Sequence, residues 1–150
     1  MKNIVIVGAA GRMGKTLVRC LQSGAVHGLK ISGAVDLWDS PDRGKDAGLA
    51  AGCNELGVKI TSDLAEVAPR CDVVIDFSGH QGTSGNAPRV ADWTNALVIG
   101  TTGLTPEERR VIETAAAKIP VVLAPNMSLG VNLLFSLVAR AAEALKDKGY

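Results

Sequence analysis

Three glycines at three-residue spacing, Gly8, Gly11 and Gly14, stand between an unbroken β-branched run, Ile4-Val5-Ile6-Val7, and a segment from Lys15 to Leu21 with helical apolar spacing that stops at Gly24. Strand, glycine turn and helix in that order can hold a phosphate. Gly8 lets the chain reverse, Gly11 leaves no side chain between backbone and pyrophosphate, and Gly14 lets helix and strand pack closely, while the helix offers unpaired N–H groups to phosphate oxygens. The spacing is G-x-x-G-x-x-G, with Ala10 before Gly11, rather than the commoner G-x-G-x-x-G. A turn that merely joins strand to helix is therefore the competing reading. Gly14-Lys15-Thr16 follows Gly8 after five residues, not the four of a Walker loop, which excludes that kind of phosphate site.

A second group of chemical interest is Asp36. It ends the apolar segment Leu29 to Val35 and lies about the distance, roughly 20 residues, beyond the glycines at which dinucleotide sites place the acid that binds the adenosine ribose. Its carboxylate would accept hydrogen bonds from the ribose hydroxyls and repel a 2′-phosphate. Taken alone, it also reads as an Asp opening the turn before Ser40-Pro41-Asp42. Further along, Asp76-Phe77-Ser78 ends the apolar run from Cys71, and Gly79-His80-Gln81-Gly82-Thr83 follows as a glycine-rich loop. His80 is a base without a visible orienting partner, so solvent exposure competes with catalysis. Gly100-Thr101-Thr102-Gly103 follows the run Ala96 to Ile99, its glycines allowing a flat ring to approach and its hydroxyls able to bond an amide. Pro125-Asn126-Met127-Ser128 follows Pro120 to Ala124 in the same way.

The elements that must position these groups alternate. Strands are expected at Ile4–Val7, Leu29–Asp36, Cys71–Ser78, Ala96–Ile99 and Pro120–Ala124, with a short edge strand at 58–61. Helices are expected at 15–21, briefly from Asp63 with Glu66 in a capping-box position, at 83–94 with Pro88 in its first turns, and from 105 to about 118. The last of these starts on a Thr105 cap, with Pro106 at the first position and Glu108 completing a capping box. A closing amphipathic helix is expected from Gly130 to Lys146. The polar stretch from Leu37 to Leu56 reads as a mobile loop with one short helical turn, its Arg43 and Lys45 solvated. Such alternation is the pattern of an α/β doubly wound parallel sheet, a Rossmann-type dinucleotide-binding domain, in which ligands lie outside the carboxyl ends of the strands. The loops after Val7, Ile99 and Leu123 are expected to line one crevice.

Composition agrees with that class. The 150 residues are 47% hydrophobic but only 3% aromatic, so the core is aliphatic, and the length suits one domain. A net charge of +1 gives no electrostatic argument for nucleic acid or an anionic membrane. Cys20, Cys53 and Cys71 show no C-x-x-C pairing, and no metal site is expected; buried, reduced thiols are. The sequence opens directly into its first strand, and no run approaches the roughly 18 apolar residues of a membrane span, so a soluble cytoplasmic location is expected.

Four motifs together resemble one family, the bacterial dihydrodipicolinate (4-hydroxy-tetrahydrodipicolinate) reductases of lysine and diaminopimelate biosynthesis. They are Gly8-Ala9-Ala10-Gly11-Arg12-Met13-Gly14, Asp76-Phe77-Ser78, Ile99-Gly100-Thr101-Thr102-Gly103, and Ala124-Pro125-Asn126-Met127-Ser128-Leu129-Gly130-Val131-Asn132. The resemblance implies that Gly8, Ala9, Ala10, Gly11, Arg12 and Met13 hold the pyrophosphate and Asp36 the ribose. It places Phe77, Gly100, Thr101 and Thr102 on the nicotinamide side, and Ala124, Pro125, Asn126 and Met127 at the nicotinamide carboxamide and ring face. It implies NADH or NADPH as coenzyme and hydride transfer to a cyclic imine or enamine acid. Leu37, where the family often has an arginine, implies a modest preference for NADH.

In the resembling family a second domain with a His-His pair serves the substrate, and the full-length proteins are homo-oligomers. Neither His27 nor His80 has a histidine neighbour, and the sequence closes at Lys148-Gly149-Tyr150 where that domain is expected to begin. The expectation is a coenzyme-binding half, truncated or split, with no catalytic acid of its own and a substrate only alongside the second domain. Ser78 for the usual threonine and Met127 for a frequent aromatic depart from the family pattern. A stand-alone dinucleotide-binding or redox-sensing module, or another oxidoreductase sharing the same first half, are the alternatives.

Overall fold

β-Branched residues buried on both faces make the central strand. The computed structural model describes residues 1–146 and 148; the expected lead into a further domain at 149–150 lies outside them. In β1 (Lys2–Val7), Ile4 and Ile6 point to one side of the sheet and Val5 and Val7 to the other, and none is more than 4% exposed. Each such side chain contributes about 1.5–3 kcal/mol by leaving water, which fixes β1 at the centre.

The other strands are β2 (Leu29–Val35), β3 (Ile60–Thr61), β4 (Val73–Asp76), β5 (Ala96–Ile99) and β6 (Val121–Leu123). All pair in parallel, in the order β3-β2-β1-β4-β5-β6. The chain builds outward from β1 to β3 and then crosses to β4 on the opposite flank, so the topological switch point lies between β1 and β4. That is where an open α/β sheet leaves a crevice. α1 (Arg12–Gln22) and α2 (Ala47–Ala50) cover one face through Val18, Ala47 and Ala51, packed with Ile31, Ala34 and Ile60. α3 (His80–Asp92) and α4 (Pro106–Ala116) cover the other through Val90, Ile112 and Ala115, packed with Val74, Leu97 and Ile99.

The doubly wound sheet, its edge strand and the α4 capping box follow the sequence reading; both halves of that box are made. Other expectations are corrected. Gly79 to Thr83 is not a loop: Gly79 is the extended cap of α3, and the Thr83 N–H donates to its carbonyl at 2.9 Å. Pro88 consequently falls in the third turn, at an exposed position where the helix continues past it. Glu66 completes no capping box; it accepts the Thr61 hydroxyl, and Asp63 alone caps a short 3₁₀ turn through the Ala65 N–H.

The segment 37–56 is tied down rather than loose. The buried Asp46 carboxylate accepts N–H bonds from Gly48, Leu49, Leu56 and Val58 at 2.8–3.1 Å. Burial would raise its pKa, but those donors, Leu56 and Leu49 foremost, outweigh it and hold the group below the ordinary carboxylate range. Of the thiols, Cys20 is exposed and Cys53 and Cys71 are half-buried, so the expectation of buried thiols fails for Cys20. Burial and then the neighbouring Asp72 push the Cys71 thiol up to about 11, which keeps it protonated at neutral pH.

α5 (Leu129–Leu145) forms where a closing helix is expected but is not seated on the sheet. None of its residues is buried, and Leu133, Leu134 and Phe135 are 59%, 56% and 54% exposed. Asn132, Ser136, Arg140 and Glu143 share one side of α5, the polar stripe of the expected amphipathic helix, and its broad apolar remainder is left uncovered. No helix among the described residues is long and apolar enough to cross a membrane.

Candidate functional site

At the switch point the carboxyl ends of β1, β2 and β4, the N-cap Gly11 of α1 and one side of α3 enclose an open cavity of about 600 Å³. Gly8 makes the turn at φ +77°, and a Cβ there would stand 2.8 Å from the Phe77 carbonyl oxygen. A Cβ on Gly14 would drive into the Gly8 carbonyl and the Ala9 backbone, so this glycine sets the approach of α1 to the turn. At Gly11 the nearest obstacle to a Cβ is the Gly8 carbonyl oxygen at 3.2 Å, and the residue itself lines the cavity.

The turn's own hydrogen bonds show which donors remain for a ligand. The N–H groups of Gly8 and Ala9 both donate to the Val35 carbonyl, at 2.9 and 3.0 Å, and that of Gly11 donates to Gly8. The Ala10 N–H donates to Asp36 Oδ2 at 2.6 Å. Among the described residues, the N–H groups of Arg12, Met13 and Gly14 have no acceptor, and the α1 cap Gly11 supplies no side-chain bond. The helix dipole therefore ends on free donors at the cavity.

Asp36 is braced in advance: one oxygen accepts the Ala10 N–H and the other the Leu37 N–H at 2.8 Å. Each oxygen keeps a further lone-pair site for a hydroxyl. Leu37 and Trp38 continue the wall beyond Asp36, Ser62 and Leu64 bring in the edge of β3, and Asn86 and Arg89 face them from α3. Below, Asp76 is fully buried and accepts both the Ser78 N–H at 2.8 Å and the Ser78 hydroxyl at 2.6 Å. The Thr83 hydroxyl donates to Thr101 Oγ1 at 2.7 Å, completing a polar seam under the first turn of α3.

His80 does have a partner, contrary to the sequence reading: its Nδ1 lies 2.7 Å from Glu108 Oε1. Glu108 sits 28 residues away and also caps α4 by accepting the Thr105 N–H. The Thr105 bond first, and the His80 bond second, hold its carboxyl below the usual range. Nothing local in the sequence signals that pair.

The structure gathers part of the expected site and separates the rest. Gly8, Gly11, Asp36 and Phe77 line the cavity, with Ala10, Arg12 and Met13 at its turn and Ala9 buried beneath. Gly100, Thr101 and Thr102, with Ala124, Pro125, Asn126 and Met127, lie further along the same strand-end edge and do not line it, so the expected single crevice over three loops is not closed. Phe77 stands between: the flat ring that meets Gly100 is Phe77 itself, and a Cβ on Gly100 would run into it. Thr101 is buried, its hydroxyl bonded within the seam, and Thr102 alone of the pair is exposed. Asn126 Oδ1 accepts the Ser128 N–H at 2.8 Å, and Met127 is 45% exposed. Sequence reading missed Trp38, Ser62 and Arg89. No group of three or more metal-ligating side chains occurs among the described residues.

A family model described as "Dihydrodipicolinate reductase, N-terminus" matches residues 2–127, most of this arrangement. The chain belongs to the dihydrodipicolinate reductase family. A 4-hydroxy-tetrahydrodipicolinate reductase from Anaeromyxobacter dehalogenans is 50% identical over 147 residues, which are 98% of this chain and 54% of that protein. The chain thus spans about half the length of the curated reductases it matches. Among solved structures, the dipicolinate-bound dihydrodipicolinate reductase from Paenisporosarcina sp. TG-14 superposes with a TM-score of 0.75 at 22% identity, over 95% of this chain and 54% of that one. The WlbA dehydrogenase from Chromobacterium violaceum, solved with NADH and UDP-GlcNAcA, gives a TM-score of 0.67 at 18% identity, over 97% of this chain and 40% of that one. These likenesses establish the fold: the doubly wound domain of the reductase family.

Proposed function

We propose that this chain is the NAD(P)H-binding half of a 4-hydroxy-tetrahydrodipicolinate reductase and that its strand-end cavity receives the coenzyme. The observation that carries this reading is one cavity at the switch point lined by both Gly11, after which the Arg12 and Met13 N–H groups stand unpaired, and the pre-braced Asp36. In this reading the α1 N-terminus holds the pyrophosphate, with Gly11 allowing close approach, and Asp36 accepts from the adenosine ribose. The nicotinamide extends past Phe77 toward Gly100–Thr102 and Ala124–Met127. The bound coenzyme supplies a hydride donor; the chain's residues hold and orient it.

Substrate binding and the proton donor belong, in this proposal, to a second domain of the reductase, as do homo-oligomeric assembly and a cytoplasmic setting. The bare apolar surface of α5, with Leu129 87% exposed, is the surface such a domain would cover. The preference for NADH stays modest. Lys15 and Lys45 both pair with Asp42, at 2.7 and 2.8 Å, and the pairing holds that carboxyl below its ordinary range, so neither cation is free for a 2′-phosphate. Arg12 and Arg43 are exposed and remain able to reach one.

Hydrogen–deuterium exchange with and without NADH tests the reading. Slower exchange is expected at residues 8–14, 36–38 and 79–82, with no coenzyme oxidation when a cyclic imine dicarboxylate is added. Unchanged exchange at those three segments at saturating NADH would contradict it.

A further inference from the structure

α3 starts with little support from its own sequence. Its cap, Gly79, supplies no side-chain bond, and the weak helix formers Gly82, Gly85 and Pro88 follow within three turns. No atom lies within 4 Å of where a Cβ on Gly79 or Gly85 would stand, so packing does not require glycine at either position. The first hydrogen bond of the helix, from the Thr83 N–H to the Gly79 carbonyl at 2.9 Å, therefore depends on what holds the turn from outside. One tie is buried: the Thr83 hydroxyl donates to Thr101 Oγ1 at 2.7 Å. The other reaches solvent: His80, with 43% of its side chain exposed, sets Nδ1 2.7 Å from Glu108 Oε1.

The second tie joins two helix N-termini through one carboxylate. Oε2 of Glu108 accepts the Thr105 N–H at 2.8 Å within the α4 capping box, and Oε1 takes the imidazole at the first residue of α3. An ionised carboxylate only accepts, so Nδ1 carries a proton and the charge of the ring turns on Nε2. A cation at a helix N-terminus opposes the dipole, but here Glu108 offsets it, so protonating His80 strengthens the tie instead of loosening the turn. Few other charges surround the pair. On α4, Glu107 and Arg109 enter no ion pair among the described residues. At the end of β4, Asp76 is fully buried and bonded to Ser78. Of the other charged residues lining the cavity, Asp36 accepts from Ala10 and Leu37, and Arg89 donates to Asp63.

We propose that His80 and Glu108 form a pH-sensitive latch that holds the first turn of α3 on α4, and that closing it shapes the cavity wall made by Gly79 to Gly82 for the coenzyme. The second half of this rests on the reading of the cavity as a coenzyme site. His80 is then a positioning residue, acting through the turn. Histidines change charge between about pH 5 and 8, so the latch tightens as pH falls through that interval. NADH binds more tightly at the acid end, and its binding takes up part of a proton.

Amide exchange of the unliganded chain tests the latch without coenzyme, read by NMR at Thr83 as protection over the intrinsic rate. From about pH 8.5 to about pH 6, protection is expected to rise about two- to fivefold, the range of a partly exposed ion pair. Glu108→Gln keeps a hydrogen-bonding side chain of the same length and should flatten the rise. Calorimetric titration with NADH over the same interval should show a similar tightening in the unmodified chain and little in Glu108→Gln or His80→Gln. Heats in two buffers of different ionisation enthalpy should reveal proton uptake in the unmodified chain alone. Because Glu108→Gln leaves His80 in place, a pH dependence of binding that persists in it would mean that the imidazolium acts on the phosphates directly, and overturns the latch. Thr83 protection independent of pH in the unmodified chain overturns it as well. NADH affinity that stays flat while protection rises overturns the coupling to the cavity. Absence of NADH binding by the folded chain overturns the coenzyme reading and that coupling together, and the Thr83 exchange alone then decides the latch.

Discussion

The turn after β1 and the loop after β5 are both glycine-bearing segments at strand ends, and their glycines answer to different neighbours. Gly11 faces open cavity, with only a backbone oxygen 3.2 Å from where a Cβ would stand. Gly100 faces the Phe77 ring, which already occupies the space the missing side chain leaves. The first glycine keeps cavity open; the second keeps room for the protein's own ring. The same motif vocabulary therefore carries two physical meanings, and the half of the strand-end edge around Gly11, Asp36 and α3 forms a walled cavity while the half around Gly100 and Asn126 lies open beside the unseated α5.

Substituting the two glycines in parallel breaks the comparison most sharply. Gly100→Val should overpack against Phe77 and cost on the order of 3 kcal/mol of stability, read by urea unfolding. Gly11→Val, at φ −73° but with the Gly8 carbonyl oxygen 3.2 Å from the new Cβ, should lower the unfolding midpoint less than Gly100→Val yet abolish coenzyme binding. It denies the pyrophosphate its charge-assisted N–H bonds, each about 1.5–3 kcal/mol, so two lost bonds amount to a loss of about 100-fold or more. Normal NADH affinity in Gly11→Val would reduce the turn to a connector.

Asp46 sharpens the contrast from the fold's side. Four N–H donors converge on one buried carboxylate, so Asp46→Asn should destabilise by on the order of 2 kcal/mol at neutral pH. Because the folded-state pKa lies below the unfolded value of about 3.9, this contribution is fully present above that value and is lost as pH falls through the folded pKa. Urea midpoints measured from pH 7 downward should bring the unmodified chain and the variant together in strong acid. A gap that stays constant to the lowest pH would contradict the pairing.

A smaller effect is expected at Leu37. Leu37→Arg places a cation beside Asp36 and should tighten NADPH by about five- to tenfold, the range of one partly exposed ion pair with a phosphate. NADH should change little. No gain for NADPH would mean that the 2′-hydroxyl does not face this position.

Much of the fold was legible because burial leaves a pattern in composition. A strand covered on both faces reads as Ile4-Val5-Ile6-Val7, and a helix start reads as Thr105-Pro106-Glu107-Glu108, since caps are local chemistry. The position of Asp36 just after β2, beside the glycine turn, was legible from the strand end at a fixed distance from the glycines. The first turn of α3 was not, because Gly79, Gly82, Gly85 and Pro88 are individually poor helix residues, and packing of Thr83, Ala87, Val90 and Ala91 overrides them. His80 with Glu108, Arg89 with Asp63 and Phe77 with Gly100 are pairs made by topology between distant segments, which no spacing rule contains. The exposure of α5 was illegible because apolar periodicity announces a helix without naming what it packs against.

The central claim is that this cavity binds a nicotinamide dinucleotide and reads the free ribose through Asp36. Calorimetric titration of the chain with NADH and with NADPH, at one fixed salt concentration, tests it most directly. The account predicts a saturable heat for both, with NADH modestly tighter. No heat for either, from a sample shown to be folded, would contradict the claim, and tighter NADPH binding would show that Arg12, Arg43 or Arg89 reaches the phosphate and that Asp36 does not select against it.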